Sequence, residues 1–253
     1  MNPLVSIVTP LHNGAAYLPD AIASVQAQDL GHYEHLIVDN LSRDTGPEIA
    51  KAAAQEDARI RVLSFDEKAN AAGARNVGIM AARGRFIAFL DCDDMWAPGK
   101  LSVQIGAMQG SGAAFSWTGY DVVDVQGARI RTQTVPERGC LADLLDRRLM
   151  IGCLTAIYDR EQVGQMHMSD KVGIEDFCLW ADIFAQCAAR NLPAIGLPVS
   201  LAHYRAHKGN ASANKLRAAM AYWSACRDHL GLSRLTASRH FIHYAIRSLT
   251  ARV

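Results

Sequence analysis

The sequence predicts an α/β fold with a central, mostly parallel sheet flanked by helices and a helical extension at the C-terminal end. Short apolar runs rich in β-branched and aromatic residues alternate with segments of helical period through roughly the first hundred residues. The connections between these runs have the length that crossovers between parallel strands require. The final segment, 214–253, combines helical spacing with a basic composition, which sets it apart from the predicted domain at 1–213.

The elements of the first half follow from these patterns in order. Strands are predicted at 4–9, 35–39, 60–65 and 86–90. Helices are predicted between them, at about 18–28, 47–54 and 73–83. Leu18, Ile22 and Val25 lie on one face of the first helix, and Gly84 is the predicted C-cap of the third. Since strands and helices alternate, both faces of this half of the sheet should be covered.

The pattern changes after a helix that starts near Pro98. Two neighbouring strands are predicted at 113–124 and 128–135, joined by a turn at Gly127. A further helix is predicted for FCLWADIFAQCAAR, which begins at Phe177. The second half is therefore expected to be mixed rather than a continuation of the parallel pattern.

Composition is that of an ordinary globular protein and excludes several classes. Half of the 253 residues are hydrophobic, and the formal net charge of +1 gives no general attraction to nucleic acid. The six cysteines form no C-x-x-C pair, so neither a zinc ribbon nor a disulfide framework is indicated. The N-terminal MNPLVSIVTP lacks the features of a secretory signal, and no apolar run approaches a membrane span. We therefore expect a cytoplasmic protein, since a reducing compartment fits this cysteine usage.

Polar residues follow each of the four predicted parallel strands, at the edge where open α/β sheets bind ligands. The strands end in Thr9-Pro10-Leu11-His12-Asn13, in Asp39-Asn40, in Asp66 and in Asp91-Cys92-Asp93-Asp94. Each alone is compatible with a cap or turn residue, but their joint placement favours a site. A D-x-D at a strand end can bring two carboxylates to one hard cation, Mg²⁺ or Mn²⁺. Three acids this close would otherwise repel one another.

Two common nucleotide-binding motifs are absent from the sequence. There is no G-x-G-x-x-G after the first predicted strand, and no G-x-x-x-x-G-K-[ST] occurs anywhere. These absences disfavour a dehydrogenase or a kinase of the usual kind. The remaining expectation is a nucleotide whose phosphates are held through a metal ion rather than by glycine-rich backbone.

Five motifs together resemble the family 2 glycosyltransferases, which have the GT-A fold. They are VSIVTPLHNGAAYLPDAIASVQAQ, HLIVDNLSRDTG, NAAGARNVGIMAARGRFIAFLDCDDMWAPGKL, GIEDFCLW and YRAHKGNAS. Their order and approximate spacing match the family over residues 4–212, and the extension lies outside the resemblance. The resemblance implies an inverting transfer of a sugar from a nucleotide diphosphate donor, usually a UDP-sugar, to an acceptor hydroxyl in surface polysaccharide or glycolipid assembly.

The resemblance also implies a set of nucleotide-binding residues. Thr9 and Pro10 match the strand end that cradles the base, and Asp39 matches the aspartate that contacts the base. Arg75 matches an arginine at the start of a helix that faces the nucleotide. A guanidinium beside a helix N-terminus is a physically sound anion site. Asp91 matches the acid that reaches the ribose or the metal.

The metal ligands and the catalytic base are implied in the same way. Asp93 and Asp91 match the D-x-D pair that binds Mg²⁺ or Mn²⁺, and His207 is a further candidate ligand. Asp176 matches the proposed general base, and Glu175 is expected to support it. An inverting displacement needs a carboxylate on the acceptor side to take the hydroxyl proton.

Several residues near these motifs have less defined roles. Trp117 and Trp180 could stack on sugar faces in an acceptor pocket, but buried core packing is the favoured interpretation of each. Cys92 occupies the variable position of the D-x-D and has no assigned role. Asp94 is expected either to orient its neighbours or to cap the turn before Pro98.

Two other functions remain open from the sequence. A sugar-phosphate nucleotidyltransferase could share the fold, but such enzymes commonly carry a glycine-rich basic loop after the first strand. The corresponding TPLHNGAAYL has one glycine and no Lys or Arg. A non-catalytic nucleotide- or carbohydrate-binding scaffold would be expected to have lost its acids, and all are retained here.

The extension carries seven Lys or Arg against one acid, Asp228. Apolar residues share two helical faces, one with Leu216, Met220, Trp223 and Cys226 and one with Ile242, Ala245, Ile246, Leu249 and Val253. These faces could pack on the catalytic domain, or on a second copy in a homodimer. They could also bind peripherally to an anionic membrane, beside a carbohydrate or lipid-linked sugar acceptor.

Overall fold

The computed structural model describes residues 2–67, 70–169, 173–207 and 215–250, with side chains from 218 to 247 in the last range. The strands are β1 (Val5–Leu11), β2 (Tyr33–Asp39), β3 (Ile60–Ser64), β4 (Phe86–Phe89), β5 (Met95–Trp96), β6 (Phe115–Val123), β7 (Arg129–Gln133), β8 (Ile157–Asp159) and β9 (Ala194–Arg205). The helices are α1 (Leu18–Gln26), α2 (Gly46–Glu56), α3 (Ala71–Ala81), α4 (Lys100–Ser111), α5 (Leu141–Leu145), α6 (Arg160–Val163), α7 (Glu175–Ala189), α8 (Lys215–Ser224) and α9 (Arg234–Thr250). These elements confirm the predicted α/β class.

One sheet contains all of these strands, in the order β3-β2-β1-β4-β8-β6-β9-β5, with β7 paired to β6. The first four strands pair in parallel, as predicted. The second half is mixed, because β8 runs antiparallel to both β4 and β6 while β9 runs parallel to β6. The predicted hairpin around Gly127 is confirmed as the β6–β7 pair.

Helices cover both faces of the parallel half, and β4 shows this residue by residue. Phe86 and Ala88 pack into an apolar cluster that includes α1 and α4, whereas Ile87 and Phe89 pack into another that includes α3 and α7. Successive side chains of a strand point to opposite faces, so a strand buried on both faces must be apolar throughout. The acids that follow β4 are thus held by a strand with no solvent-exposed side.

The longest strand, β9, lacks a continuous apolar pattern because its sequence AIGLPVSLAHYR contains Pro198. Proline removes a ladder donor and is tolerated in sheets mainly at edges and bulges. The register of β9 on β6 shifts between Leu197 and Ser200, so Pro198 lies in an irregularity of the ladder. This strand leads to Arg205, and it therefore carries the chain to the acids after β4.

The extension packs on the preceding part of the chain near α5 and α7. The Tyr222 hydroxyl donates a hydrogen bond of 2.6 Å to the carbonyl of Leu145, and the Tyr222 ring contacts that of Phe177. The His240 ring nitrogen lies 2.7 Å from the Asp146 carboxylate. Packing on the domain was one of the two expected roles. The predicted boundary between 213 and 214 lies outside the described residues and stays a prediction.

The face of α9 that packs is not the one expected from the sequence. Phe241 and Tyr244 face the domain side of the extension, whereas Ile242 and Ile246 are 57% and 54% exposed and Leu235 is 84% exposed. Both sides of α9 carry apolar residues, so spacing alone could not distinguish them. The expected positions Leu216, Leu249 and Val253 lie outside the residues with described side chains. No helix in the described ranges combines the length and apolarity needed to cross a membrane.

Candidate active site

A cleft of about 590 Å³ opens at the carboxyl ends of the parallel strands. Its lining residues include Pro10, Leu11, His12, Asn40, Arg75, Asp91, Asp93, Asp94, Tyr120, Cys153, Glu175, Asp176 and Tyr204. The D-x-D acids, the α3 arginine and the Glu-Asp pair of α7 therefore meet in one cavity although they lie far apart in the sequence. This is the edge at which ligands of open α/β sheets bind.

Arg75 and Asp91 form a partly buried ion pair on the floor of the cleft. The Arg75 guanidinium comes from the first turns of α3, whose N-cap is Asn70, with its side chain accepting from the Gly73 backbone N–H. Burial opposes the charge of Arg75, but the Asp91 carboxylate outweighs it and raises the pKa of the guanidinium. The Arg75 Nε is buried and has no hydrogen-bond partner in the described structure. The Arg75 guanidinium thus stays positively charged beside the acids.

Asp93, which lines the cleft, contacts His207 from the segment after β9. The His207 Nε2 lies 2.8 Å from the Asp93 carboxylate, and its ring stacks on Tyr17 with the centroids 5.1 Å apart. Tyr17 also lies under the Arg205 guanidinium, 4.9 Å from the ring centroid. A carboxylate that lines the cleft is thereby paired with an imidazole.

Asp94, which had no secure role, joins the D-x-D turn to the end of β9. It is 2% exposed, and its carboxylate accepts a 3.0 Å hydrogen bond from the backbone N–H of Arg205. Burial, followed by the neighbouring carboxylates of Asp91 and Asp93, raises the pKa of Asp94 well above its usual value. Among the described residues, the Asp94 carboxylate therefore bonds to β9 rather than capping the turn before Pro98, and its expected role of orienting the neighbouring acids stays a prediction.

Glu175 and Asp176 form the first turn of α7, where negative charge is favourable. The Glu175 carboxylate accepts a 2.5 Å hydrogen bond from the Gly173 N–H, and the Asp176 carboxylate accepts one of 2.7 Å from the Phe177 N–H. Burial, and then the charge of Glu175, raise the pKa of Asp176 to about 6. Asp176 is thus the acid of the cleft poised to exchange a proton near neutral pH.

The first-strand residues divide between the interior and the cleft. Pro10 lines the cleft, as does His12, whose ring N–H donates a 2.6 Å hydrogen bond to the Asn40 carbonyl. Thr9 is fully buried, and its hydroxyl lies 2.8 Å from the Nε2 of His35 on β2. The Thr9 side chain is therefore committed to the sheet and does not line the cleft.

Asp39 lies at the end of β2, outside the residues that line the cleft. Its carboxylate accepts a 3.2 Å hydrogen bond from the Ser42 N–H. The neighbouring Asn40 lines the cleft instead, with its side-chain amide donating to the Phe65 carbonyl at 3.0 Å. The expected contact of Asp39 with a nucleotide base stays a prediction.

No definite role followed from the sequence for three side chains of the cleft wall. Tyr120 on β6 and Tyr204 on β9 line the cleft with their rings 6.3 Å apart, and His12 completes this set. His12 lies in the same TPLHN segment as Pro10, so its proximity to the strand end was an available signal. Tyr204 begins the motif YRAHKGNAS, whereas Tyr120, on a strand of the mixed half, had no such signal. Trp117 and Trp180 are buried, as the core-packing interpretation expected.

The chemistry of the acids and His207 suits a divalent cation bound together with a nucleotide. Within the described ranges, no three or more His, Cys, Asp or Glu side chains are arranged to hold a metal ion by themselves. Mg²⁺ and Mn²⁺ do not need such a cage, because one or two carboxylates with phosphate and water oxygens are sufficient. Asp93 and His207 could supply protein donors, with Asp91 close by in the same turn.

Comparison with known proteins gives the family of this chain. The family model described as Glycosyl transferase family 2 matches residues 6–163. The chain belongs to this family. TuaG of Bacillus subtilis (strain 168), a glycosyltransferase named for teichuronic acid biosynthesis, is 35% identical over 252 residues, which cover 99% of this chain and 98% of TuaG. The relative WfgD of Escherichia coli is 32% identical over 225 residues, which cover 89% of this chain and 86% of WfgD.

Solved structures confirm the GT-A fold expected from the motifs. S. aureus TarS 1–349 in complex with UDP-GlcNAc superposes with a TM-score of 0.72 at 16% identity, covering 99% of this chain and 73% of that one. The mannosyltransferase PcManGT from Pyrobaculum calidifontis, in complex with GDP-Man and Mn²⁺, gives a TM-score of 0.69 at 16% identity. It covers 100% of this chain and 77% of PcManGT. This family 2 glycosyltransferase therefore shares its architecture with them.

Proposed function

We propose that this family 2 glycosyltransferase transfers a sugar from a UDP-sugar to an acceptor hydroxyl, with a divalent metal and inversion at the anomeric carbon. One observation carries the proposal. A single cleft contains the D-x-D acids beside Arg75 and also contains Asp176, whose pKa is raised to about 6. An anionic donor and a general base thus have separate positions in the same cavity.

The catalytic residues act at two points of the displacement. Asp176 accepts the proton of the acceptor hydroxyl as the new bond to the anomeric carbon forms, and Glu175 holds the start of α7 through Gly173. Arg75 faces the charge that develops on the leaving UDP. Asp93, Asp91 and His207 are the residues that would hold Mg²⁺ or Mn²⁺, which when bound neutralises the diphosphate.

The donor and acceptor classes follow from the relatives. WfgD is named as a UDP-Glc:alpha-D-GlcNAc-diphosphoundecaprenol beta-1,3-glucosyltransferase, so a UDP-hexose donor and a lipid-linked sugar acceptor are the leading candidates here. Assembly of a surface polysaccharide is supported by this name and by that of TuaG. A nucleotidyltransferase or a binding scaffold has no comparable support, because the relatives are named as glycosyltransferases.

A donor panel tests the proposal. The protein is incubated with UDP-, GDP- or dTDP-sugars and with an acceptor mixture that contains prenyl-diphosphate-linked N-acetylglucosamine. Each reaction is run with Mg²⁺, with Mn²⁺ and with chelator. We expect UDP to be released only when the metal is present. We also expect an α-linked donor to give a β-linked product, which NMR would identify. The absence of donor turnover and of metal-dependent UDP binding throughout the panel would contradict the proposal, and an α-linked product would exclude inversion.

The pH dependence of the reaction should reflect Asp176. Because only its ionised carboxylate can accept a proton, kcat/KM should fall about tenfold per pH unit below a midpoint near 6. The measurement is kcat/KM from pH 4.5 to 8 at saturating metal, with circular dichroism at each pH to exclude unfolding. A midpoint near 4, the ordinary value for an aspartate, would contradict a base whose pKa is raised by burial.

We also propose that the extension binds an anionic membrane surface at the cytoplasmic side, which would bring the cleft to a lipid-linked acceptor. The exposed residues Leu235, Ile242 and Ile246 share one face of α9. Arg239 and His243 flank this face and are also exposed. Apolar residues bordered by basic ones are typical of interfacial helices. A cytoplasmic location also agrees with the six cysteines, none of which is paired in a disulfide.

The triple substitution Leu235→Ser, Ile242→Ser and Ile246→Ser should weaken binding to phosphatidylglycerol vesicles by at least about tenfold, because three large apolar side chains are lost. Co-sedimentation measures the partition, and Val103→Ser, at a 48% exposed residue of α4, is the matched control. If the wild-type protein does not bind the vesicles, and if it is a dimer whereas the triple variant is a monomer, this face of α9 is a contact between two copies. The membrane proposal would then be wrong.

A further inference from the structure

A buried lysine contacts the segment that forms one wall of the cleft, and the proposed chemistry does not use it. Lys100, the first residue of α4, is fully buried. Its ammonium donates hydrogen bonds to the side-chain carbonyl of Gln104, one turn along α4, and to the backbone carbonyl of Thr155, the latter at 3.3 Å. It also lies 5.0 Å from the centroid of the Trp96 ring. Among the residues that the structure describes, its partners are thus neutral groups, and no carboxylate forms an ion pair with it.

The charge of Lys100 should cost the folded state free energy. Burial lowers the pKa of Lys100 from its ordinary 10.5 to about 7, because an ammonium loses its hydration in the interior. Since the pKa is lower in the folded than in the unfolded state, this cost is largest below pH 7 and declines as the pH rises toward 10.5. An apolar side chain of similar volume in place of a buried charge is often neutral or stabilising. Packing alone therefore does not account for a lysine at this position.

Lys100 and its neighbours bind the backbone of one short segment, the 3₁₀ turn Cys153–Thr155. The indole N–H of Trp96 donates to a carbonyl of this turn at 2.8 Å. The side-chain amide of Gln104 donates to another, that of Thr155, at 2.9 Å, and Lys100 is a second donor to the same oxygen. Three side chains thus hold two successive carbonyls of the turn from the interior.

The same turn forms part of the cleft wall. Cys153 lines the cleft, together with the preceding Gly152. Burial raises the pKa of the Cys153 thiol well above its usual value, and the nearby charges of Arg75, Asp91 and Asp176 also act on it. This wall is therefore close both to the ion pair that would face the leaving diphosphate and to the proposed base. In a direct displacement the transferred sugar lies between those two groups, so its ring would lie against this wall.

We propose that Lys100 is a positioning residue for the transferred sugar, and that it acts by holding the wall formed by residues 152–154. The inference rests on the proposed function, and it assigns this wall to the sugar of the donor rather than to its nucleotide. Lys100 itself does not line the cleft and contacts no reacting group. A shift of the wall would leave UDP bound but would move the anomeric carbon relative to Asp176. A misplacement of about 1 Å at that point can lower the rate about a hundredfold.

Lys100→Met separates positioning from packing, because the two roles predict different combinations of results. If Lys100 positions the sugar, kcat with a UDP-sugar should fall at least about tenfold, while UDP affinity with Mn²⁺ stays within about twofold of wild type. The urea midpoint at pH 7 should not fall, because a buried charge is removed. A residue needed only for packing would instead lower the midpoint and leave kcat of the folded protein unchanged. Lys51→Met, at an exposed lysine of α2, is the matched control and should equal wild type in all three quantities.

A second variant and a binding measurement keep the inference distinct from the proposed function. Trp96→Phe removes another donor to the same wall and should also lower kcat while UDP affinity is retained, so it tests the inference even if Lys100→Met does not fold. Calorimetry compares the affinity for a UDP-sugar with that for UDP, and this ratio should change at least about threefold in both variants even without turnover. Wild-type values of kcat and of this ratio in both variants would overturn the inference and leave UDP-sugar transfer intact. Failure of the wild type to bind either ligand would contradict the proposed function itself.

Discussion

Asp176→Asn is expected to lower kcat for sugar transfer by about 10²- to 10⁴-fold, which is the range for loss of a general base. The amide keeps the size of the side chain but cannot accept a proton at neutral pH. UDP affinity should remain within about twofold of wild type, because Arg75 and the D-x-D acids are unchanged. Steady-state kinetics with a UDP-sugar and calorimetry with UDP measure the two quantities separately.

The same change two turns along α7, Asp182→Asn, is the matched control. Asp182 contacts His229 of the extension at 2.9 Å and does not line the cleft. We expect Asp182→Asn to retain most of the activity. Comparable losses in Asp176→Asn and Asp182→Asn would point to disturbed packing of α7 rather than to proton transfer.

Asp176→Asn should also stabilise the fold. Because the pKa of Asp176 is about 6 when folded and near its ordinary 3.8 when unfolded, protonation of this group contributes stability that is present below pH 4 and lost as pH rises through 6. At pH 7 the ionised group therefore costs the folded state about 1–2 kcal/mol after allowance for solvent. Urea denaturation should show this gain for Asp176→Asn at pH 7 and not below pH 4.

Asp93→Asn is expected to weaken Mn²⁺-dependent UDP affinity by about 10- to 100-fold and to lower kcat as well. The substitution removes a charge that a cation would contact and leaves His207 with a neutral partner. UDP affinity and kcat should both fall, because the metal contacts the diphosphate in the ground state and the diphosphate carries more charge as it leaves. In Asp176→Asn only kcat should fall.

Chelator provides the control for Asp93→Asn. If Asp93 acts through the metal, wild type and variant should bind UDP with nearly equal affinity once the metal is removed. Asp29→Asn, at an exposed acid that accepts from Ser102, should match wild type in both conditions. A difference between Asp93→Asn and wild type that persists undiminished in chelator would assign Asp93 to direct nucleotide contact or to structure.

The parallel half of the sheet was predictable because its signals are local. Each strand is a short apolar run, and each is followed by a helix with one apolar face, so pattern and topology agree. The strand β9 was not predictable because Pro198 interrupts it, and its pairing with β6 depends on residues some 80 positions away. The buried face of α9 was ambiguous for a different reason, since both of its sides are apolar.

The candidate site shows the same division between local and distant information. Asp91, Asp93 and Asp176 could be selected because each lies at the end of a strand or the start of a helix within a recognisable motif. The sequence could not indicate that Asn40 rather than Asp39 lines the cleft, because this depends on how the strand end turns.

The hydrogen bond between Asp94 and the Arg205 backbone joins residues 111 positions apart in the sequence. During synthesis the parallel sheet and all three acids would leave the ribosome long before β9 does. The carboxylate cluster would then exist for a time without the strand that satisfies Asp94 and without His207 beside Asp93. We therefore expect the nascent chain to gain nucleotide affinity late and abruptly, when β9 pairs with β6, rather than in proportion to its length.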